Sequence, residues 1–227
     1  ISFLNNEDVK IESKEMLYDR FTFELVASGK VRLDNLKDGS KIITEELIYN
    51  TQTKKIISNT SSKFIDNFNN SLYTESFNYD LNTSIAKINS LKLIDTKKNE
   101  YSLKKGFLNT KTKKLVGKDV FVDLGNAITQ ESNFRIKSLG VEKKPGQTIM
   151  KKAVFTPCKK REDCPPWQLS AETITHDEKK KVMYYKNAWL KIYDKPVLYF
   201  PSFFHPDPTE KRQSGFLIPS FTSSKNL

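Results

Sequence analysis

Cysteine, histidine and paired acidic residues are the side chains here most able to do chemistry, and the chain is sparing with the first two. Cys158 and Cys164 are the only cysteines, with five residues between them. That spacing is not the CxxC of a thioredoxin-like redox site. Two thiols without paired histidines beside them make a poor zinc site. Their polar Lys/Arg/Asp loop does not suit inert core cysteines. What remains is a local disulfide or two half-disulfides with distant partners, and either use implies an oxidising compartment. His176-Asp177 could be set beside a cysteine nucleophile as a catalytic pair, but His176 falls in a slot that tyrosines fill elsewhere in the chain, which makes it structural. His205 and Asp207 stand in His-Pro-Asp-Pro, where prolines lock the backbone; a stiff connection explains them better than a metal does. No catalytic constellation emerges, so the sequence reads as a non-enzyme with no cofactor and no metal.

The elements that must carry these residues are strands. Period-two alternation is the main pattern: Phe21, Phe23 and Leu25 alternate with Thr22 and Glu24, Phe134 and Ile136 with Arg135 and Lys137, and Ala188, Leu190 and Ile192 with Trp189 and Lys191. Capped helix-period stretches are almost absent, and the chain is all-β. It also repeats. Tyr18-Asp19, Tyr49-Asn50, Tyr79-Asp80, Leu108-Asn109 and His176-Asp177 each close a short alternating run, and the first four begin 31, 30 and 29 residues apart. Asn or Asp at the second position suits a turn, because its side chain bonds the local backbone. Seven residues after each pair begins comes an apolar or small residue: Leu25, Ile56, Ala86, Leu115 and Met183. Units this small cannot bury their own apolar faces and must stack. Such a stack closes either as a filled solenoid or as two leaning sheets with an apolar groove between them.

Composition narrows the class. Of 227 residues, 37% are hydrophobic and 29% charged, as in a folded protein. No run of 18 apolar residues is present, so no transmembrane helix is expected. The first residues lack a basic start and an apolar core, so the chain reads as cytosolic or as the mature part of a longer exported product. The net charge of +11 predicts attraction to polyanions: nucleic acid, anionic lipid headgroups or phosphorylated glycolipid. A genome-level bias toward Lys and Asn would also produce it. No groove-reading helix, RNA-recognition sheet or zinc module is present, and nucleic acid is not the expected partner. After Pro201 a linker leads to Gly215-Phe216-Leu217-Ile218-Pro219-Ser220-Phe221, which reads as the start of another strand. Pro219 cannot donate to a ladder there and suits an edge or a gap in pairing.

Several stretches together resemble a known family. They are Phe155-Thr156-Pro157-Cys158, Trp167-Gln168-Leu169-Ser170-Ala171, Thr175-His176-Asp177, Val182 to Ala188, Pro196-Val197-Leu198-Tyr199-Phe200-Pro201, His205-Pro206-Asp207-Pro208-Thr209, and Arg212 to Phe221. The chain resembles the LptD family of lipopolysaccharide-assembly outer-membrane proteins, with its OstA-like periplasmic domain. The match is dense from about 155 to 221; before 150 only the repeated β-pattern agrees. The resemblance implies an OstA-like β-jellyroll over 1–204, a linker over 205–214, and over 215–227 the first strand of an outer-membrane β-barrel that is truncated here. It implies that the jellyroll faces the periplasm, accepts lipopolysaccharide, holds its acyl chains in an apolar groove and passes it to the barrel for insertion in the outer leaflet. It implies as partners a periplasmic bridge protein of the same jellyroll fold and a lipoprotein plug inside the barrel. In the family, periplasmic cysteines pair with cysteines beyond the barrel. Here both thiols share one loop, so the pairing of Cys158 and Cys164 stays open. Expected groove residues are Phe21, Phe23, Leu25, Phe121, Phe134, Ile136 and Trp189, and Pro219 becomes a candidate for a lateral barrel gate. The alternative is a passive structural or carbohydrate-binding β-solenoid attached to an outer-membrane barrel.

Overall fold

Rung after rung pairs antiparallel with its neighbour in the computed structural model, which describes residues 2–5, 9–36, 39–65, 70–94, 100–124, 134–156 and 166–207. Every regular element among them is a strand. The first rungs are β1 (Ser2–Asn5), β2 (Val9–Glu12) with β3 (Glu15–Asp19), β4 (Glu24–Asn35) and β5 (Lys41–Asn50). Next come β6 (Lys55–Ser58) with β7 (Ser62–Ile65), then β8 (Ser71–Thr74) with β9 (Ser76–Asp80). Long rungs follow: β10 (Ile85–Ile94), β11 (Glu100–Asn109), β12 (Lys114–Leu124), β13 (Phe134–Lys144), β14 (Gln147–Thr156), β15 (Trp167–Asp177), β16 (Val182–Ile192) and β17 (Lys195–Pro206). Two short strands laid end to end pair with one long neighbour: β2 and β3 both pair with β4, β6 and β7 with β5, and β8 and β9 with β10. The register pairings make one all-β meander of stacked rungs, the OstA-like jellyroll arrangement.

The five repeated pairs each end a strand, and their Asx side chains build the turns. Asp19 Oδ1 accepts the Phe21 and Thr22 N–H at 2.7 and 3.4 Å, and Asn50 Oδ1 those of Gln52 and Thr53 at 3.2 and 2.8 Å. Asp80, Asn109 and Asp177 do the same in their turns. Four residues after each Asx the backbone is left-handed: Phe23, Lys54, Ser84, Lys113 and Lys181 have φ of 57–58°. The carbonyls of Phe23, Lys54, Ser84 and Lys181, and that of Gly146 in another turn, accept the first N–H of the next turn. Thr51 N–H reaches Phe23 O at 2.8 Å, and Asp207 N–H reaches Lys181 O at 2.8 Å. The turns therefore stack as a ladder along one edge of the fold.

Each long rung also bends at its middle. Between β12 and β13 the pairing runs Lys118 with Gly140 and then Val120 with Ser138, passing over Asp119 and Leu139. The same omission falls at Lys152 and Glu172, and at Asn187 and Pro201, so the bends line up across the stack. Alternate rungs bend through a left-handed residue: Lys30, Ser90, Asp119, Lys152 and Asn187 have φ of 48–54°. The bend divides the sheet into a wall on the turn side and a wall on the loop side. Small residues line its inner angle, with Ala27, Ala153, Ala171 and Ala188 0–5% exposed. Hydroxyls take up carbonyls there: Ser138 Oγ donates to Gly140 O at 2.6 Å or Lys151 O at 2.9 Å, and Thr74 Oγ1 lies 2.9 Å from Ser76 O.

The bend inverts the inside–outside alternation, because the residue passed over consumes one step of period two. In β16 the buried residues are Met183 and Tyr185 before the bend and Ala188 after it. In β14 they are Thr148 and Met150, then Ala153 and Phe155. One apolar core containing residues of both walls runs the length of the stack. The strand β17 runs through His205 and Pro206, two residues into the expected 205–214 linker, because both pair with β16. Asp207 follows β17, and residues 208–214 of that linker and the segment 215–227 lie outside the described residues.

Candidate functional site

The feature with functional content is the apolar seam between the two walls. It is lined by inward residues of the rungs from β2 onward, which the turn ladder and the bend hold at fixed heights. Aromatic pairs cross it. Phe64 from the loop-side wall meets Phe77 of the turn-side wall edge-on at 4.9 Å between ring centres. Further along, Phe155 of the loop-side wall packs on Tyr185 at 6.1 Å and His205 at 5.3 Å, both from the turn-side wall. Phe200 and Phe203 meet at 5.3 Å near the same end. The walls thus touch, and the seam residues are buried against one another.

The groove residues expected from sequence divide. Leu25 and Ile136 face the seam, 5% and 2% exposed. Phe21 and Phe23 do not belong to a strand: they form the turn opened by Asp19, and Phe21 is 95% exposed. Trp189 lies on the outer face at 44% exposure, because the bend at Asn187 reverses the phase set by Met183 and Tyr185. Phe121 is half-buried and stands between Val120 and Val122, which take the inward positions. Phe134 begins β13 and pairs with Leu124, but its side chain lies outside the described residues. Cys158, Cys164 and Pro219 also lie outside them. The residues that the sequence reading missed are Phe155, Tyr185 and Phe203, which form the aromatic end of the seam. The signal for them was the bend, visible only as an apolar phase change within one strand.

Polar groups gather where the seam meets the turn edge. His176 Nε2 lies 2.7 Å from Asp207 Oδ2, and Tyr185 Oη lies 2.8 Å from His205 Nε2. His205 Nδ1 is 2.5 Å from Pro206 O. One tautomer satisfies both bonds of His205: Nδ1–H donates to the carbonyl, and Nε2 accepts the tyrosine proton. Burial pushes the His205 pKa down, partly offset by the Pro206 carbonyl and by Asp207, and it pushes the Tyr185 hydroxyl well up. His205 is therefore neutral at neutral pH and completes a hydrogen-bonded anchor for β17, with no nucleophile beside it. Among the described residues no three His, Cys, Asp or Glu side chains come together to hold a metal. A shallow depression of about 460 Å³ lies between Ile43, Lys63, Tyr73 and Lys92. The buried Thr44, Ser62 and Thr74 line it as well.

The lowered pKa of His205 carries a pH dependence. The unfolded chain takes up the proton near the ordinary value of ~6.5, and the folded chain only at lower pH. Between those values the unfolded state binds more protons, so stability falls as pH drops below ~6.5 and is fully present above it. Urea melts from pH 7.5 to 5.5 are expected to show this decline in the wild type and a smaller one in His205→Gln.

An open meander of bent rungs with a continuous apolar seam defines a β-jellyroll of the kind that holds a ligand between walls or serves as a rigid stack. The model of the OstA-like protein family matches residues 4–133, more than half of the chain. The chain belongs to that family. It is also similar to proteins named "LPS-assembly protein LptD". It is 38% identical over 60 residues to the one from Francisella tularensis subsp. novicida (26% of this chain, 7% of the relative), and 36% over 80 residues to that of Nitrosococcus oceani (35% and 10%). With that of Shewanella denitrificans it shares 45% over 65 residues (27% and 8%). The aligned part is thus 7–10% of these relatives' length. The family match covers the first half, where the sequence offered only its repeated β-pattern.

Proposed function

We propose that this chain takes part in lipopolysaccharide assembly at the outer membrane, as a periplasmic jellyroll that holds the lipid's acyl chains between its walls and hands them on past β17. The observation that carries this reading is the uninterrupted apolar seam, built of rungs that repeat the same wall-to-wall geometry. Each methylene moved out of water contributes about 0.8 kcal/mol, whereas an exposed ion pair such as Lys92–Glu100 contributes about 0–1 kcal/mol. Retention would rest on apolar burial, with lysines orienting a phosphorylated headgroup. The aromatic contacts across the seam must part for a chain to enter.

Several finer assignments belong to the same proposal. Residues 1–204 with the rest of β17 form the jellyroll, 208–214 the linker, and 215–227 the opening strand of a barrel, with Pro219 at its lateral gate. Cys158 and Cys164 form disulfides. A bridge protein of like fold feeds the β1 edge, and a lipoprotein plug sits in the barrel. One observation favours the other reading, a passive stalk: the seam side chains are already buried against one another.

Photo-crosslinking in cells decides between the two. Probes at the inward positions Leu25, Ile136 and Ile174 of the full-length protein are expected to capture lipopolysaccharide. Probes at the outward positions Phe21, Phe121 and Trp189 are expected to capture several-fold less. Equal capture at both sets, or none at either, would sink the conduit and leave the stalk.

A further inference from the structure

The outer face of the last two described rungs is unlike the rest of the surface. Tyr184, Trp189, Tyr193, Tyr199 and Phe204 are 39–68% exposed, and the 25 residues from 182 to 206 hold as many exposed aromatic rings as the whole of the remaining described chain. They are ordered into pairs on either side of the bend. Trp189 and Tyr199 lie 5.0 Å apart, and Tyr184 and Phe204 6.2 Å. Tyr199 donates its hydroxyl to Asn187 Oδ1 at 3.0 Å, which holds it on the surface rather than folded into the seam. Four of the five rings are Trp or Tyr, apolar bodies with a polar tip, the side chains that settle at a bilayer's headgroup level.

Charge around the rings points the same way. On the outer face Lys186 stands between the two pairs and Lys191 beside Trp189, while Lys195 opens β17 at the rim, opposite Ile192 and two residues after Tyr193; among the described residues none of the three has an ion-pair partner. The nearby carboxylates are engaged by amides: Glu172 by Asn187 Nδ2 at 2.6 Å, Asp194 by Gln168 Nε2 at 2.7 Å. Among the described residues no strand pairs with the far edge of β17, and that edge does not invite another strand. Pro196, Pro201 and Pro206 supply no N–H and recur every fifth residue, so a ladder added there would be broken repeatedly. A second copy joined edge to edge is thereby disfavoured, and side-chain contact with a surface is left.

We propose that the outer face of β16 and β17 is a membrane-surface contact, which seats its aromatic pairs among the headgroups of an anionic bilayer through Lys186, Lys191 and Lys195. It orients the jellyroll with its last rung against the membrane. It does not depend on acyl chains passing through the seam.

The chain's two tryptophans make the test direct, because Trp167 is 6% exposed in the core and Trp189 reports on the face. The 227-residue chain is mixed with vesicles of phosphatidylethanolamine and phosphatidylglycerol, or of phosphatidylcholine alone. Both sets carry lipid brominated near the headgroup end of the acyl chain and no lipopolysaccharide. The expected result is a blue shift and quenching with the anionic vesicles, lost in Trp189→Phe, whose remaining signal comes from Trp167. Partition should weaken roughly tenfold or more in the triple variant Lys186→Glu, Lys191→Glu, Lys195→Glu, whose exposed sites leave the fold intact. No quenching in either lipid overturns the proposal. So does equal partition into phosphatidylcholine, or partition that ignores the charge reversals. Sedimentation that shows a dimer with an unquenched Trp189 would assign the face to a second copy instead. Lipopolysaccharide crosslinking in the seam can succeed or fail independently of every one of these outcomes.

Discussion

Phe155→Ala is expected to lower the unfolding free energy by about 3–5 kcal/mol, the largest effect of any single truncation in the seam. The ring is 0% exposed and reaches from the loop-side wall to Tyr185 and His205 on the turn-side wall. Truncation removes an apolar side chain from the interior and leaves a void between walls that the turn ladder and the bend prevent from collapsing. It also takes away one face of the box that holds the Tyr185–His205 hydrogen bond at 2.8 Å. Phe155→Leu keeps most of the volume and should recover more than half of the loss. Chemical denaturation of the three proteins measures both numbers. A cost below about 1 kcal/mol for the alanine variant would mean that the walls close up after truncation and that the seam is more compliant than its packing implies.

Much of the architecture was legible because the turns are local. Asp19, Asn50, Asp80, Asn109 and Asp177 each accept the N–H groups two and three residues on, and that bonding needs nothing from the rest of the fold. The spacing of these residues therefore reports rung length directly. The bend is not local in this sense. It shows only as a register omission between neighbours, and its left-handed residues are Lys, Ser, Asp and Asn rather than a tell-tale glycine run. Continuing one period-two phase through Asn187 puts Trp189 inside; stepping the phase once puts Ala188 inside, as found. Phe21 and Phe23 misled for another reason. A turn of this type has its own residue-by-residue alternation, and Phe23 takes the left-handed position that in the other turns falls to Lys or Ser. Leu25 and Ile136 do lie inward, because each sits within a half-rung where no bend intervenes between it and the strand's start.

Leu103 offers a second large effect, at the bend itself. It comes from the loop-side wall, and its methyl groups lie over Gly106 and Gly117 of the turn-side wall. A Cβ added to Gly106 would sit 2.9 Å from Leu103 Cδ1, and one added to Gly117 2.8 Å from Leu103 Cδ2 and 3.3 Å from the Lys105 carbonyl. The glycines are required by this approach, since neither has a positive φ. Gly117→Ala is accordingly expected to cost about 1–3 kcal/mol through overpacking, and Leu103→Ala about 2–5 kcal/mol through the cavity it leaves. The double variant should cost clearly less than the sum, because the new methyl enters the space that the leucine vacates. A coupling of at least about 1 kcal/mol is expected from the cycle, and strict additivity would show that the glycine is required for some reason other than Leu103. The same geometry bears on lipid passage. On the proposed conduit reading, with Leu103 lying on bare backbone, an acyl chain would cross this rung only when the side chain swings aside or the walls hinge apart at Asp119. Gly117→Ala should then reduce crosslinking at Ile136 while leaving capture at Leu25, several rungs earlier, near its wild-type level.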